Sequence, residues 1–281
     1  MTGPAEGTGT GATPSETGIG TGGRITYAGA GSWQQRLHVE PVWGTHVVID
    51  VRADALPDDV DDLLAEAVAF LHQVDAWFST YRADTPITMY RNGLIELERT
   101  PSIVRAVLEA CAGAKQLTDG VFDPWAVPGG VDPSGYVKGW AAGVAADMLH
   151  DAGIANVCVD ASGDIAVHGR MTADEDWSVG ITNPYDTQSV VRVVQVPSGY
   201  AMATSGLYER GEHIRNTVSG GSSVHYDSAT VVGPDAGLAD ALATACLVEG
   251  PTCNRWFVGL DDWSVYLIKD GRAEFFGPAF A

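Results

Sequence analysis

The sequence predicts an α+β fold with mixed or antiparallel sheets and packed helices, and two observations carry the prediction. Long segments with apolar residues at helical spacing fill the first half, while short β-branched segments dominate the second. The two kinds are not interleaved in the regular strand-helix-strand order that a doubly wound parallel sheet requires.

Taken in order, Thr45 to Val51 alternates and is β-branched enough for a strand. A helix follows from about Asp58 to Trp77, where Leu63, Leu64, Ala67, Val68, Phe70, Leu71 and Val74 recur at helical spacing behind an acidic first turn. A second helix is expected from Thr100 as N-cap and Pro101 as first residue to about Leu117, stopped by Asp119-Gly120. A third runs from Lys138 to about Ala152, ending before Gly153.

Short strands are then expected at Val157 to Val159, Ile165 to His168, Trp177 to Ile181, Val190 to Val196, Tyr200 to Thr204 and His225 to Val232. Asp235 caps a final helix, Ala236 to Glu249, and closing strands are expected at Trp256 to Leu260 and Ser264 to Lys269. No internal repeat is present. Residues 1–23 are almost entirely Gly, Thr, Ala, Ser, Pro and Glu, a composition expected to form a disordered tail, which leaves residues 24–281 as one domain, with room for two subdomains. Gly18, Gly20 and Gly23 match G-x-G-x-x-G, but with no strand before and no amphipathic helix after, the dinucleotide-fold reading fails.

With 281 residues, 45% of them apolar, the chain can fill a sizeable core. A formal net charge of −20 argues against nucleic acid as a partner, because phosphate-tracking surfaces are basic. An anionic ligand would need backbone N–H groups, a local cation or a metal. Cys111, Cys158, Cys246 and Cys253 form no C-x-x-C pair and read as small core residues, with a Cys246–Cys253 bridge the less favoured reading. No apolar run reaches the roughly 18 to 20 residues of a membrane span, and no basic-then-apolar leader opens the chain, so stable membrane insertion is not expected and the expected location is cytoplasmic.

Asp240 and Thr244 stand four apart on the last helix, so a carboxylate and a hydroxyl emerge on one face. Such a pair can hold a hard cation like magnesium beside a diphosphate. From spacing alone, an exposed Asp and a Thr bonded back to its own helix is the simpler reading. Asp132-Pro133-Ser134-Gly135-Tyr136-Val137-Lys138-Gly139 is a turn feeding a helix, with glycines for close approach and Lys138 for charge; it suits a phosphate, and equally any loop before a helix. Thr204-Ser205-Gly206, followed by Tyr208, Arg210 and His213, offers hydroxyls and an imidazole whose ordinary pKa suits a general base, although a hydrogen-bonded turn histidine reads equally well. Trp43, Tyr81 and Trp125 could stack on an aromatic ligand or belong to the core. Neither G-x-S-x-G nor H-E-x-x-H occurs.

In this order along the chain, the motifs resemble the ApbE family of FAD:protein FMN transferases over about Val42 to Gly250. Trp43-Gly44-Thr45 is similar to the family's Met-Gly-Thr, Phe78-Ser79-Thr80-Tyr81-Arg82 to its Ser/Tyr segment, and Gly120-Val121-Phe122-Asp123-Pro124 to Gly-x-Phe-Asp-Pro. Asp132 to Gly139, Ser162-Gly163-Asp164-Ile165, Thr204-Ser205-Gly206-x-Tyr208 and Ala239-Asp240 to Thr244 complete the series. The resemblance implies a T-fold-like architecture. It also implies FAD contacts from Trp43, Tyr81, Val121, Phe122, Asp123, Asp132, Lys138, Thr204, Ser205, Gly206 and Ile214, and Mg2+ on Asp240, Thr244 and the Gly135 carbonyl. The implied reaction moves FMN from FAD to a Ser or Thr hydroxyl of an acceptor flavoprotein, releasing AMP, with His213 or Asp240 helping to deprotonate that hydroxyl. Three features depart from the family: His213-Ile214-Arg215-Asn216-Thr217-Val218-Ser219-Gly220 lacks the usual Asp and Pro, Trp43 replaces the opening Met, and Ala243 stands where a further metal ligand is sometimes found. The alternatives are a module that binds FAD without transferring it, and a metal-dependent hydrolase releasing FMN and AMP.

Overall fold

Successive side chains of a strand point to opposite faces, so strands with apolar residues on both, as the central ones here have, present two faces to cover, and this decides the architecture. In the computed structural model, which describes residues 33–207 and 224–281, β1 (Gln34–Val42), β2 (Thr45–Ala53), β3 (Asn156–Asp160), β4 (Asp164–His168), β7 (Ala201–Gly206), β8 (Ser228–Gly233), β9 (Ser264–Lys269) and β10 (Arg272–Phe276) form one sheet in the order β1-β2-β3-β4-β7-β8-β9-β10. Neighbours pair antiparallel throughout. β5 (Trp177–Asn183) and β6 (Asp186–Val196) form a separate antiparallel pair. The chain is thus helix plus antiparallel sheet, as the sequence predicts.

Val157, Val159, Ala166, Ala201, Ala203, Ala229, Val231, Val265 and Leu267 face the helices in one core. Their strand neighbours Cys158, Ile165, Val167, Met202, Val232, Tyr266 and Ile268 face the other way, packing on Trp177, Val179, Ile181, Val194 and Val196 of the β5–β6 layer. The large sheet is therefore covered on one side by α1 (Val60–Phe78), α3 (Ser102–Leu117), α4 (Ser134–Asp151) and α5 (Ala236–Glu249), and on the other by β5–β6. A short helix, α2 (Pro86–Arg91), sits beside α1. α4 and α5 pack closely because Gly139 has no side chain: a Cβ there would overlap the Ala236 carbonyl and lie 3.0 Å from Asp240 Cβ.

Several sequence expectations are corrected. Trp256 to Leu260 is not a strand: Pro251–Phe257 forms a 3-10 helix that turns Cys253, Trp256 and Phe257 inward at spacings of three and four. Thr100 does not cap α3; its hydroxyl donates to the Leu97 carbonyl at 2.7 Å, and Pro101, with extended ψ, precedes the first helical residue Ser102. α4 begins at Ser134 rather than Lys138. His225 and Tyr226 donate their N–H groups to the Leu247 carbonyl, so β8 starts only at Ser228. All four cysteines are free and buried. Residues 1–23, and the calls on Tyr208, Arg210, His213 and Ile214, lie outside the described residues. Among the described residues, no helix is long and apolar enough to cross a membrane.

Candidate functional site

The α4–α5 seam brings Asp240 and Thr244 to the first turns of α4. Asp240 is only 3% exposed, and the Gly139 N–H donates to its Oδ2 at 3.3 Å. Thr244 Oγ1 lies 3.1 Å from Ser205 Oγ at the end of β7. The simpler reading of an exposed Asp and a self-bonded Thr is therefore wrong for this helix: one residue is buried against α4, and the other reaches across to the sheet. A Cβ on Gly135 would lie 3.6 Å from Thr244 Oγ1 and 3.4 Å from Phe122 Cε2, which places Gly135, Thr244 and Phe122 side by side. Gly135 itself departs from helical geometry (φ −80°, ψ 15°), which swings its carbonyl away from the helix axis.

The loop before α4 is held by its own side chains. Asp132 Oδ1 accepts the Ser134 N–H at 3.0 Å, and the Asp132 N–H donates to the Pro124 carbonyl at 2.9 Å. Asp123 accepts the Trp125 N–H at 3.0 Å and pairs with Lys115 at 2.7 Å. Val121 and Phe122 are buried, and the Thr118 hydroxyl accepts the Phe122 N–H at 3.1 Å. Arg91 closes over the outer part of this loop by donating to the carbonyls of Pro128 and Gly129, each at 2.7 Å.

A third contribution comes from the turn between β3 and β4. Lys138, in the first turns of α4, pairs with Asp164, whose side chain is 2% exposed. Asp160 Oδ1 accepts the Gly163 N–H at 2.8 Å, and burial above all pushes its carboxyl up to about 7, with the charge of Asp164 adding to the rise against that hydrogen bond and Lys138. The Gly163 carbonyl accepts the Thr204 N–H at 3.2 Å, while Thr204 Oγ1 meets Thr230 Oγ1 at 2.9 Å. Ser162, at positive φ (57°), meets Thr45 through its hydroxyl and donates to the His46 carbonyl at 3.0 Å. This ties the turn to the β1–β2 hairpin that carries Trp43.

Trp43 also has positive φ (57°), next to Gly44 at 72°. Its indole N–H is buried without a hydrogen-bond partner among the described residues, as is the Ser228 hydroxyl. The structure thus gathers Phe122, Gly135, Lys138, Thr204, Ser205, Gly206, Asp240 and Thr244 around the junction of α4, α5 and β7. Tyr81 is fully exposed (100%), on the loop after α1. Sequence reasoning left Asp160 and Asp164 out of the site; the available signal was the Asp-x-x-Gly-Asp turn of residues 160–164.

Asp240, Thr244 and the Gly135 carbonyl are all hard oxygen donors, the type a magnesium ion takes, although among the described residues no three His, Cys, Asp or Glu side chains converge as metal ligands.

Residues 127–266 match the sequence model of the ApbE family. The chain is 34% identical over 162 residues to an FAD:protein FMN transferase of Vibrio cholerae, covering 53% of this chain and 48% of that one. It is 30% identical over 151 residues to the Escherichia coli protein of the same name, covering 50% and 43%. The chain thus spans about half the length of the curated relatives it matches. In fold it is similar to the flavin transferase ApbE from Vibrio cholerae (TM-score 0.76, 22% identity), with 88% of this chain and 98% of that one covered.

Proposed function

The chain belongs to the ApbE family through residues 127–266, and from that premise we propose that it transfers the FMN part of FAD to a Ser or Thr hydroxyl of an acceptor flavoprotein, releasing AMP. One observation carries the reading: Asp240 and Thr244 on α5, Gly135 and Lys138 on α4, and Ser205 on β7 come from separate stretches of sequence and meet at one junction. That set suits a diphosphate, combining hard oxygen donors with one lysine in a strongly acidic chain.

In this reading the acceptor oxygen forms a bond to the flavin-side phosphorus of FAD as the bridging phosphorus–oxygen bond breaks, and AMP leaves with the bridging oxygen. Lys138 offsets charge on the diphosphate oxygens. Asp240, Thr244 and the Gly135 carbonyl would hold Mg2+, which when bound supplies charge neutralisation at the diphosphate. His213 or Asp240 takes the proton of the acceptor hydroxyl. Trp43, whose buried indole N–H has no partner among the described residues, contributes a donor to an FAD acceptor atom and a ring face to its aromatic part.

The test is incubation of the purified protein with FAD and Mg2+, with and without a peptide carrying an Asp-x-x-Ser/Thr-Gly-Ala-Thr sequence, followed by mass spectrometry. An FMN adduct on the peptide with AMP release, lost in Asp240→Ala, is the expected result. Tight FAD binding with neither product identifies a binding module instead, and AMP in the absence of any adduct identifies hydrolysis.

A further inference from the structure

The turn at residues 160–164 joins three stretches used in the proposed transfer: Ser162 bonds the β1–β2 hairpin, Gly163 accepts from Thr204, and Asp164 meets Lys138. Of its two carboxylates, Asp160 is engaged by the Gly163 N–H within the turn itself. Asp164 is the one that faces α4. Its side chain is 2% exposed and that of Lys138 18%, so the pair sits largely out of water, where a carboxylate restrains an ammonium far more than at a surface. A lysine stem has four rotatable bonds, and a lysine left to sample them would meet a diphosphate in only a fraction of its conformers.

Resting on the transferase reading, we propose that Asp164 is a positioning residue: its carboxylate fixes the Lys138 ammonium in the orientation that meets the donor diphosphate. Asp164 stands at the first residue of β4, opposite Ala203 and next in space to Thr204, so the rigid sheet sets where the ammonium points. The carboxylate works through Lys138 and has no contact of its own with the reacting atoms in this assignment.

The experiment is a double-mutant cycle on the full chain with FAD, Mg2+ and the acceptor peptide, using Asp164→Asn, Lys138→Met and the double variant. Asp164→Asn is expected to lower kcat by about 10-fold to 100-fold while the KM for FAD moves by less than about 3-fold, the pattern of lost orientation rather than lost binding. The double variant should be no slower than Lys138→Met alone, since both changes remove one unit. In parallel, acetylation of folded protein by an amine-reactive ester should label Lys138 several-fold faster in Asp164→Asn than in wild type, with Lys115 and Lys269 unchanged.

Unchanged kcat in Asp164→Asn, or losses that multiply in the double variant, would overturn the assignment. Asp164→Ser is carried alongside, and failure of both variants to fold would overturn it too, making Asp164 a stabilising residue. A wild type that forms no adduct fails the transferase reading before any variant is compared, so the two failures are read from different samples.

Discussion

The two faces of the large sheet both bury charge, and they treat it differently. On the β5–β6 side, Arg52 and Asp50 are completely buried, their side chains pair at 2.7 Å, the guanidinium lies 5.0 Å from the Trp177 ring centroid, and Nη1 donates to the Met171 carbonyl at 2.9 Å. On the helix side, Lys138 keeps some exposure beside buried Asp164, and the Trp43 indole N–H has no partner among the described residues, while in the adjoining β3–β4 turn burial above all pushes the Asp160 carboxyl up to about 7. A charge whose donors and acceptors are all met holds layers together. A buried donor left unmet among the described residues, such as the Trp43 indole N–H, marks where a ligand can complete the set, which is why buried polarity alone does not locate a site.

Breaking the satisfied pair should produce the largest effect. Arg52→Ala leaves Asp50 buried without its cation and is expected to cost about 3–5 kcal/mol, read by urea unfolding. A loss below about 1 kcal/mol would mean that this face tolerates unpaired charge and that the contrast is false. Next comes Asp240→Ala, expected to slow adduct formation by about 100-fold to 1000-fold while leaving the unfolding midpoint nearly unchanged. An equal fall in stability would move Asp240 from the chemistry to the scaffold. Gly139→Ala should then cost about 1–3 kcal/mol, because the added Cβ must push α4 off the Ala236 carbonyl and Asp240. It should weaken transfer as well, since the seam that it opens is the one that seats Asp240.

The same contrast explains what was legible in the sequence. Strands buried on both faces, such as β3, β4 and β8, announce themselves by β-branched residues, and α1 by its apolar spacing. The edge strands β1 and β10 were missed because most of their residues are exposed and their apolar stretches are short, such as Leu37 and Val39 in β1 and Phe275-Phe276 in β10. Asp50 and Arg52 alternate with Val47, Ile49 and Val51 and would pass for a solvent face; only the β5–β6 layer, more than a hundred residues on, turns that face into a core. Spacing put Asp240 and Thr244 on one side of a helix but gave no partner for either, since Gly139 and Ser205 reach them from other elements. The pairing of Lys138 with Asp164 crosses 26 positions, a distance over which local pattern carries no information.

Asp160 offers the smallest effect at any one pH step and the sharpest test of the comparison. Its carboxyl titrates near 3.8 when unfolded and at about 7 in the native turn, chiefly because burial disfavours the charged form. Between these values the native chain keeps a proton that the unfolded chain has released. The stabilising contribution of this group is therefore complete below about pH 4 and is lost as pH rises through about 7, by at most about 1.4 kcal/mol per pH unit. Asp160→Asn keeps an oxygen for the Gly163 N–H and removes the titration. Its stability relative to wild type should rise across that window and level off above it, which urea midpoints from pH 4 to 8 would record. Parallel curves for the two proteins would mean that Asp160 is ionised throughout, and that the turn beside Lys138 satisfies its charges as fully as the Arg52 layer does.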